Sequence, residues 1–321
     1  MELALMLAIF LAGIILIVKG GDYFVDAASW IAEVSGVPKL IVGATIVSLA
    51  TTLPEMLVSL MAAAQGKVDM AVGNAAGSVT ANIGLIMALS VLCMPVAILR
   101  GDYLLKSALM LAAAGIVAWA GGRGAVGLRP SLLLLGIFGA FLFENVRCAR
   151  RSMRYGGAGG FGLFSGPPRK REILFYCAKF TAGAAAVVLG ADLLVDSGSA
   201  LARLAGVSER VIGVTIVAVG TSLPELVTTV TAVAKRQSAL SVGNILGANI
   251  LDLTLILPMS ALAAGKALPV SAASARLDLP VCLLAGCVAL LPAMAAARFR
   301  RWQGVALLAI YAAYLVLTCR T

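Results

Sequence analysis

Histidine is absent from all 321 residues, and charge is scarce: 12% of the chain is charged while 61% is hydrophobic. The first absence removes the commonest proton carrier near neutral pH and the commonest transition-metal ligand, so any charge relay must run through carboxylates. The second, with a mean hydropathy of +1.02, excludes a water-soluble fold of this length and leaves a polytopic membrane protein. The cysteines (Cys93, Cys148, Cys177, Cys282, Cys287 and Cys319) lack the paired spacing of a metal site and read as small apolar fillers. A basic leader is missing too. The chain opens with Glu2 and shows no small-residue cleavage site before Lys19, so the first apolar run is read as a span rather than a signal peptide.

What is present is a series of about ten apolar runs, near 3 to 18, 39 to 64, 71 to 98, 104 to 121, 130 to 146, 173 to 191, 207 to 234, 239 to 263, 277 to 297 and 303 to 318. Most are long enough to cross about 30 Å as helices. The formal charge of +10 concentrates in alternate loops: Arg147 to Arg171 between the fifth and sixth runs, Lys235 and Arg236 after the seventh, and Arg298 to Arg301 before the tenth. The positive-inside bias turns those loops to the cytoplasm, which leaves both termini extracytoplasmic in a plasma (inner) membrane. Short loops offer no folded basic surface, so the partner expected is the lipid bilayer, with no nucleic acid and no obligate protein partner.

An internal repeat organises the chain. Gly43-Ala44-Thr45-Ile46-Val47-Ser48-Leu49-Ala50-Thr51-Thr52-Leu53-Pro54-Glu55 returns 170 residues later as Gly213-Val214-Thr215-Ile216-Val217-Ala218-Val219-Gly220-Thr221-Ser222-Leu223-Pro224-Glu225. The same offset matches Gly73-Asn74 to Gly243-Asn244, Gly77 to Gly247, Asn82 to Asp252, and Gly20, Asp22 and Asp26 to Gly190, Asp192 and Asp196. Residues 1–150 are read as a first five-helix repeat, 151–171 as a basic Gly/Pro-rich cytoplasmic linker, and 172–321 as a second repeat. Five spans is an odd number, so the halves must be inverted relative to each other. Such repeats place substrate sites at their midplane interface, on broken helices. The fold class expected is therefore an all-α polytopic membrane protein of two inverted five-helix repeats.

Each copy of the long motif sets one glutamate at bilayer depth, where an ionisable group costs roughly 2.5–3.5 kcal/mol on insertion scales. Pro54 and Pro224 each remove a backbone N–H and free a carbonyl one turn earlier, near Ala50 or Thr51 and near Gly220 or Thr221. Thr51, Thr52, Thr221 and Ser222 add hydroxyls at the break. In the second element of each half, Ser78 and Asn82, like Ala248 and Asp252, lie four apart and so share a helix face. Drawn together, Glu55, Glu225, Asp252 and Asn82 with the hydroxyls make an all-oxygen cage. Hard cations prefer such a cage: calcium accepts six to eight oxygens at roughly 2.3–2.6 Å. No cofactor is expected, only transported ions.

With these motifs the chain resembles the calcium/cation antiporter family, and within it the prokaryotic sodium/calcium exchangers, whose two repeats carry G-T-S-x-P-E and G-N-x-x-G-S-N-x-x-N/D. The resemblance implies an antiporter that moves calcium against sodium, with Glu55 and Glu225 binding the ions. It further implies oxygens from Thr51 and Thr221, a hydroxyl from Ser78, and Asn82 and Asp252 completing the site. The chain departs from the pattern in having Ala50-Thr51-Thr52 for Gly-Thr-Ser, Val79 where asparagine is expected, and Ala248 where serine is expected. The lost hydroxyl at 248 leaves one sodium site open to question, and proton/calcium or potassium-assisted exchange through the same carboxylates stays an alternative. An intramembrane enzyme is disfavoured, since acid and base roles need unlike environments and the repeat makes the two glutamates alike.

Overall fold

The computed structural model describes residues 2–66, 68–94, 100–154, 169–206, 220 and 222–320. The chain is an all-α polytopic membrane protein of ten helices among the described residues. In the first half these are α1 (Glu2–Ser35), α2 (Lys39–Ala64), α3 (Val68–Ala81, running on through Asn82–Met87 and Ala88–Cys93), α4 (Arg100–Gly121) and α5 (Leu128–Arg154). In the second they are α6 (Lys170–Leu204), α7 (Leu223–Ala234), α8 (Ser238–Ala264), α9 (Ser274–Ala296) and α10 (Arg301–Arg320). Nine of them are long and apolar enough to cross a membrane; α7 is the short one, and the run expected to precede it, 207–219, lies outside the described residues, as does most of the expected linker.

Glycine and proline set the helix ends. α1 stops where Gly36 takes φ +67°, and Pro38 caps the start of α2. Where a break or kink was expected at Pro54, the helix Ser48–Ala64 keeps Pro54 inside it, and a π-helical stretch precedes it at Gly43–Val47. Two further π stretches begin at Asn82 and at Asp252, positions 170 residues apart, so the repeat carries the same distortion in both halves. One-turn π insertions of this kind widen a helix and often mark functional positions. In the second half α7 starts with Pro224 in its first turn, where the missing N–H costs nothing.

The ends of α1, α3, α5 and α7 gather on one face with the starts of α2 and α8. There the Ser152 hydroxyl donates to the Gly36 carbonyl at 2.7 Å, Lys39 Nζ to Gln237 Oε1 at 2.7 Å, and the Ser238 hydroxyl to Met94 Sδ. On the opposite face β1 (Ala125–Val126) pairs antiparallel with β2 (Leu268–Pro269).

α3 and α8 form the centre. Their most apolar windows are 72% and 78% buried, against 17% for α1, α5 and α6, which lie at the rim. The main core joins Val72, Ile83, Ile86 and Met87 of α3 to Ile245, Leu246 and Leu253 of α8 and Ala285 and Leu290 of α9. Leu7, Leu11 and Ile15 of α1, Phe143 of α5 and Leu174 of α6 point outward as a lipid-facing surface.

α2 crosses α8 backbone to backbone. A Cβ at Gly43 would strike the Leu240 carbonyl and stand 2.9 Å from Asn244 N, and one at Gly243 would strike the Leu40 carbonyl in return. α1 and α6 make a second pair of this type. A Cβ at Gly183 would fall 2.6 Å from Phe24 N, one at Gly20 2.9 Å from Val187 N, and one at Gly13 3.1 Å from the Gly190 carbonyl. Since Gly13 meets Gly190 and Gly20 meets Gly183, the two helices run antiparallel. They are equivalent under the repeat, so the halves are inverted.

Candidate functional site

Glu55 lies mid-way along α2, directly after Pro54, and Glu225 in the first turn of α7, directly after Pro224. Both are buried, and their carboxyl groups are close enough across the boundary between the halves to interact electrostatically. The Thr52 hydroxyl of the first half donates to Glu225 Oε1 at 3.3 Å. Each half therefore reaches into the other.

The asparagines of the Gly-Asn motifs fix the helices that carry the acids. Asn74 Nδ2 donates to the Ser59 hydroxyl at 2.9 Å and to the Glu55 carbonyl at 3.4 Å. Asn244 Nδ2 donates to the Thr228 hydroxyl at 3.0 Å, and that hydroxyl donates in turn to the carbonyls of Pro224 at 2.8 Å and Glu225 at 3.1 Å. Asn244 Oδ1 also receives the Thr51 hydroxyl at 3.4 Å, so one side chain of α8 grips both acid-bearing helices.

Asp252 and Asn82, the first residues of the two equivalent π stretches, are buried at 1% and 2% exposure. Asp252 feels the charges of Glu55 and Glu225, yet among the described residues no three Asp, Glu, Cys or His side chains converge closely enough to hold a metal as a set. A cation here would lie against two carboxylates and neutral oxygens, with Asp252 to one side. Ser78 and Ser222 are buried as well. Thr221 lies outside the described residues.

Buried polar atoms without a partner cluster in this group: Glu55 Oε2, Glu225 Oε2, Asp252 Oδ1, Asn82 Oδ1, and the hydroxyls of Ser78 and Ser222. A buried oxygen left unpaired costs about 1–3 kcal/mol, more when charged, so such a concentration marks a place where something else satisfies it. Two facing carboxylates also repel in a low-dielectric interior. A bound cation removes both penalties at once. The donor set is oxygen throughout, which suits sodium or calcium and offers zinc none of its nitrogen or sulfur.

Asn244, Thr228 and Ser59 were not part of the expected site. The paired asparagines inside spans were a visible signal. Thr228 gave none, since its equivalent across the repeat is Val58, whereas Ser59 is matched by the hydroxyl of Thr229.

Comparison with known proteins bears on this arrangement. A family model described as sodium/calcium exchanger protein matches residues 5–146 and 175–320. The chain is similar to the sodium/calcium exchanger MaX1 of Methanosarcina acetivorans, at 32% identity over 96% of this chain and 97% of that one. It is also similar to inner membrane protein YrbG of Escherichia coli, at 33% identity over 79% of each. Among solved structures it resembles the sodium-calcium exchanger NCX_Mj soaked with 10 mM sodium and no calcium, with a TM-score of 0.79 and 28% identity over 98% of this chain and 99% of that one.

Proposed function

The chain belongs to the sodium/calcium exchanger protein family, an integral membrane transporter rather than an enzyme, and from that premise we propose that it exchanges calcium for sodium by alternating access. The observation that carries the reading is the meeting of Glu55 and Glu225, one from each inverted half, among buried oxygens that lack partners.

In this reading calcium and sodium are substrates that compete for one cage. Glu55 and Glu225 supply the charge. Thr51 and Thr221 offer oxygens beside them, Thr52 and Ser222 add hydroxyls, and Asn82, Asp252 and Ser78 complete the middle of the site. An empty cage keeps two like charges together at depth and cannot be carried through the closed state, whereas an occupied, neutralised one can. Exchange is then obligatory, because neither direction is crossed without an ion. The α1/α6 pair, bound closely to itself and placed at the rim, is the part that slides along the remaining bundle.

The basic loops face the cytoplasm and both termini lie outside, in the plasma (inner) membrane. The two transport repeats are residues 1–150 and 172–321, with 151–171 as the link. Radiolabelled calcium uptake into proteoliposomes tests the function, with sodium, potassium and proton gradients imposed one at a time. Uptake driven by sodium supports the proposal. Uptake driven only by a pH step, without sodium, would replace it with proton/calcium exchange, and a requirement for potassium would add that ion.

A further inference from the structure

The repeat also matches Asp22 and Asp26 of α1 to Asp192 and Asp196 of α6, and the cation site uses none of them. In α1 they face two lysines. Lys235 Nζ, at the end of α7, donates to Asp26 Oδ1 at 2.7 Å and to the Asp22 carbonyl at 2.9 Å, and lies 3.1 Å from the Asp22 carboxylate. Lys179 of α6 takes the other oxygen of Asp26 at 3.1 Å and stands over the Tyr23 ring at 5.4 Å. The Lys179 contact stays within the α1/α6 pair, which glycines already join. The Lys235 contact crosses from that pair to α7, which carries Glu225.

The repeat is broken at this point. Position 235 is equivalent to Gln65, so the first half has a neutral amide where the second has an ammonium. Lys235 belongs to the face that carries the basic loops; Gln65 belongs to the other. Asp22 and Asp26 are one turn apart on the same side of α1. A slide of α1 by about a turn, roughly 5 Å, would leave Lys235 beside at most one of the two carboxylates.

We infer that Lys235 is a one-sided latch, which holds the α1/α6 pair against α7 while the basic-loop face is closed and lets go when that face opens. The inference rests on the alternating-access reading above. The latch is partly exposed, with side-chain exposures of 27% for Lys235, 41% for Asp22 and 44% for Asp26, so it biases two states and does not lock one. Removing it raises the share of protein open at the basic-loop face, and apparent affinity at a face scales with the share competent there.

The test uses the full chain in proteoliposomes of controlled orientation, with the half-saturating calcium concentration for exchange measured at each face. Lys235→Gln, which copies Gln65, is expected to lower that concentration at the basic-loop face relative to the other face by about three- to tenfold. Asp26→Asn should move the ratio the same way, and carries the test if Lys235→Gln fails to reconstitute. Lys235→Arg should keep the parental ratio. An unchanged ratio in Lys235→Gln or Asp26→Asn, with exchange intact, overturns the latch. A parent chain that exchanges no ions overturns the transport reading instead.

Discussion

Replacing Glu225 with glutamine keeps the shape of the side chain and removes one charge, which separates two jobs that the carboxylate pair performs. The two carboxyl groups interact across the boundary between the halves. For unit charges about 4 Å apart at an effective dielectric of about 20, each pairwise interaction amounts to roughly 4 kcal/mol. A divalent ion beside Glu225 loses about twice that attraction in the variant, and a monovalent ion loses it once. The Glu55–Glu225 repulsion is present with and without a bound ion, so its removal cancels from both binding energies. The loss is then about 8 kcal/mol for calcium and about 4 kcal/mol for sodium, so calcium falls further than sodium by close to a thousandfold. Glu225→Gln should therefore abolish calcium/sodium exchange, with calcium weakened much more than sodium. Titrating calcium and sodium separately into the purified variant, by isothermal calorimetry alongside radiolabelled flux, reads both quantities. Equal loss of the two ions, or calcium uptake near the parental level, would refute the claim that the paired charges select the divalent ion.

Glu55→Gln should behave in the same direction, since the pair is shared between equivalent positions of the repeat. Gly43→Ala forces a methyl against the Leu240 carbonyl and Asn244, and should cost about 1–3 kcal/mol as overpacking, read as a lower melting midpoint in detergent together with weakened calcium uptake. Asn244→Ala leaves the Thr51 and Thr228 hydroxyls without their shared partner; it should cost about 1–3 kcal/mol in unfolding, and a loss of calcium affinity no larger than that of Asn74→Ala would argue against its grip on both helices. Ala248→Ser restores a hydroxyl at a fully buried position of α8 and should raise the apparent affinity for sodium in sodium-driven calcium uptake, leaving calcium binding near the parental value.

Much of this architecture can be read in the chain before any coordinates. Ten apolar runs, a gapless offset of 170 and one acid per copy of the long motif are one-dimensional signals, and membrane insertion makes hydropathy and buried charge unusually informative. The details that escape are those decided by contact. Pro54 reads as a break, yet α2 continues through it, with the distortion displaced to Gly43–Val47 where the backbone of α8 comes closest. The π stretches at Asn82 and Asp252 have no local sequence signature; their equivalence becomes visible once both helices are in place. Thr228 holds its acid-bearing segment from one copy alone, its equivalent being Val58, so a search for matched positions passes it by. The cage itself is legible in outline, with both glutamates, Asp252 and Asn82 buried together, whereas the role of Asn244 as a clasp between halves is a matter of geometry.

The short ladder of Ala125–Val126 with Leu268–Pro269 stitches the α4–α5 turn to the α8–α9 turn. Its two strands come one from each half, so the ladder ties the first repeat to the second. Such a stitch limits shear of α4 and α5 against α8 and α9 at that end. In the alternating-access cycle proposed above those four helices move as one unit, and α1 and α6, which the ladder does not touch, are free to move against them.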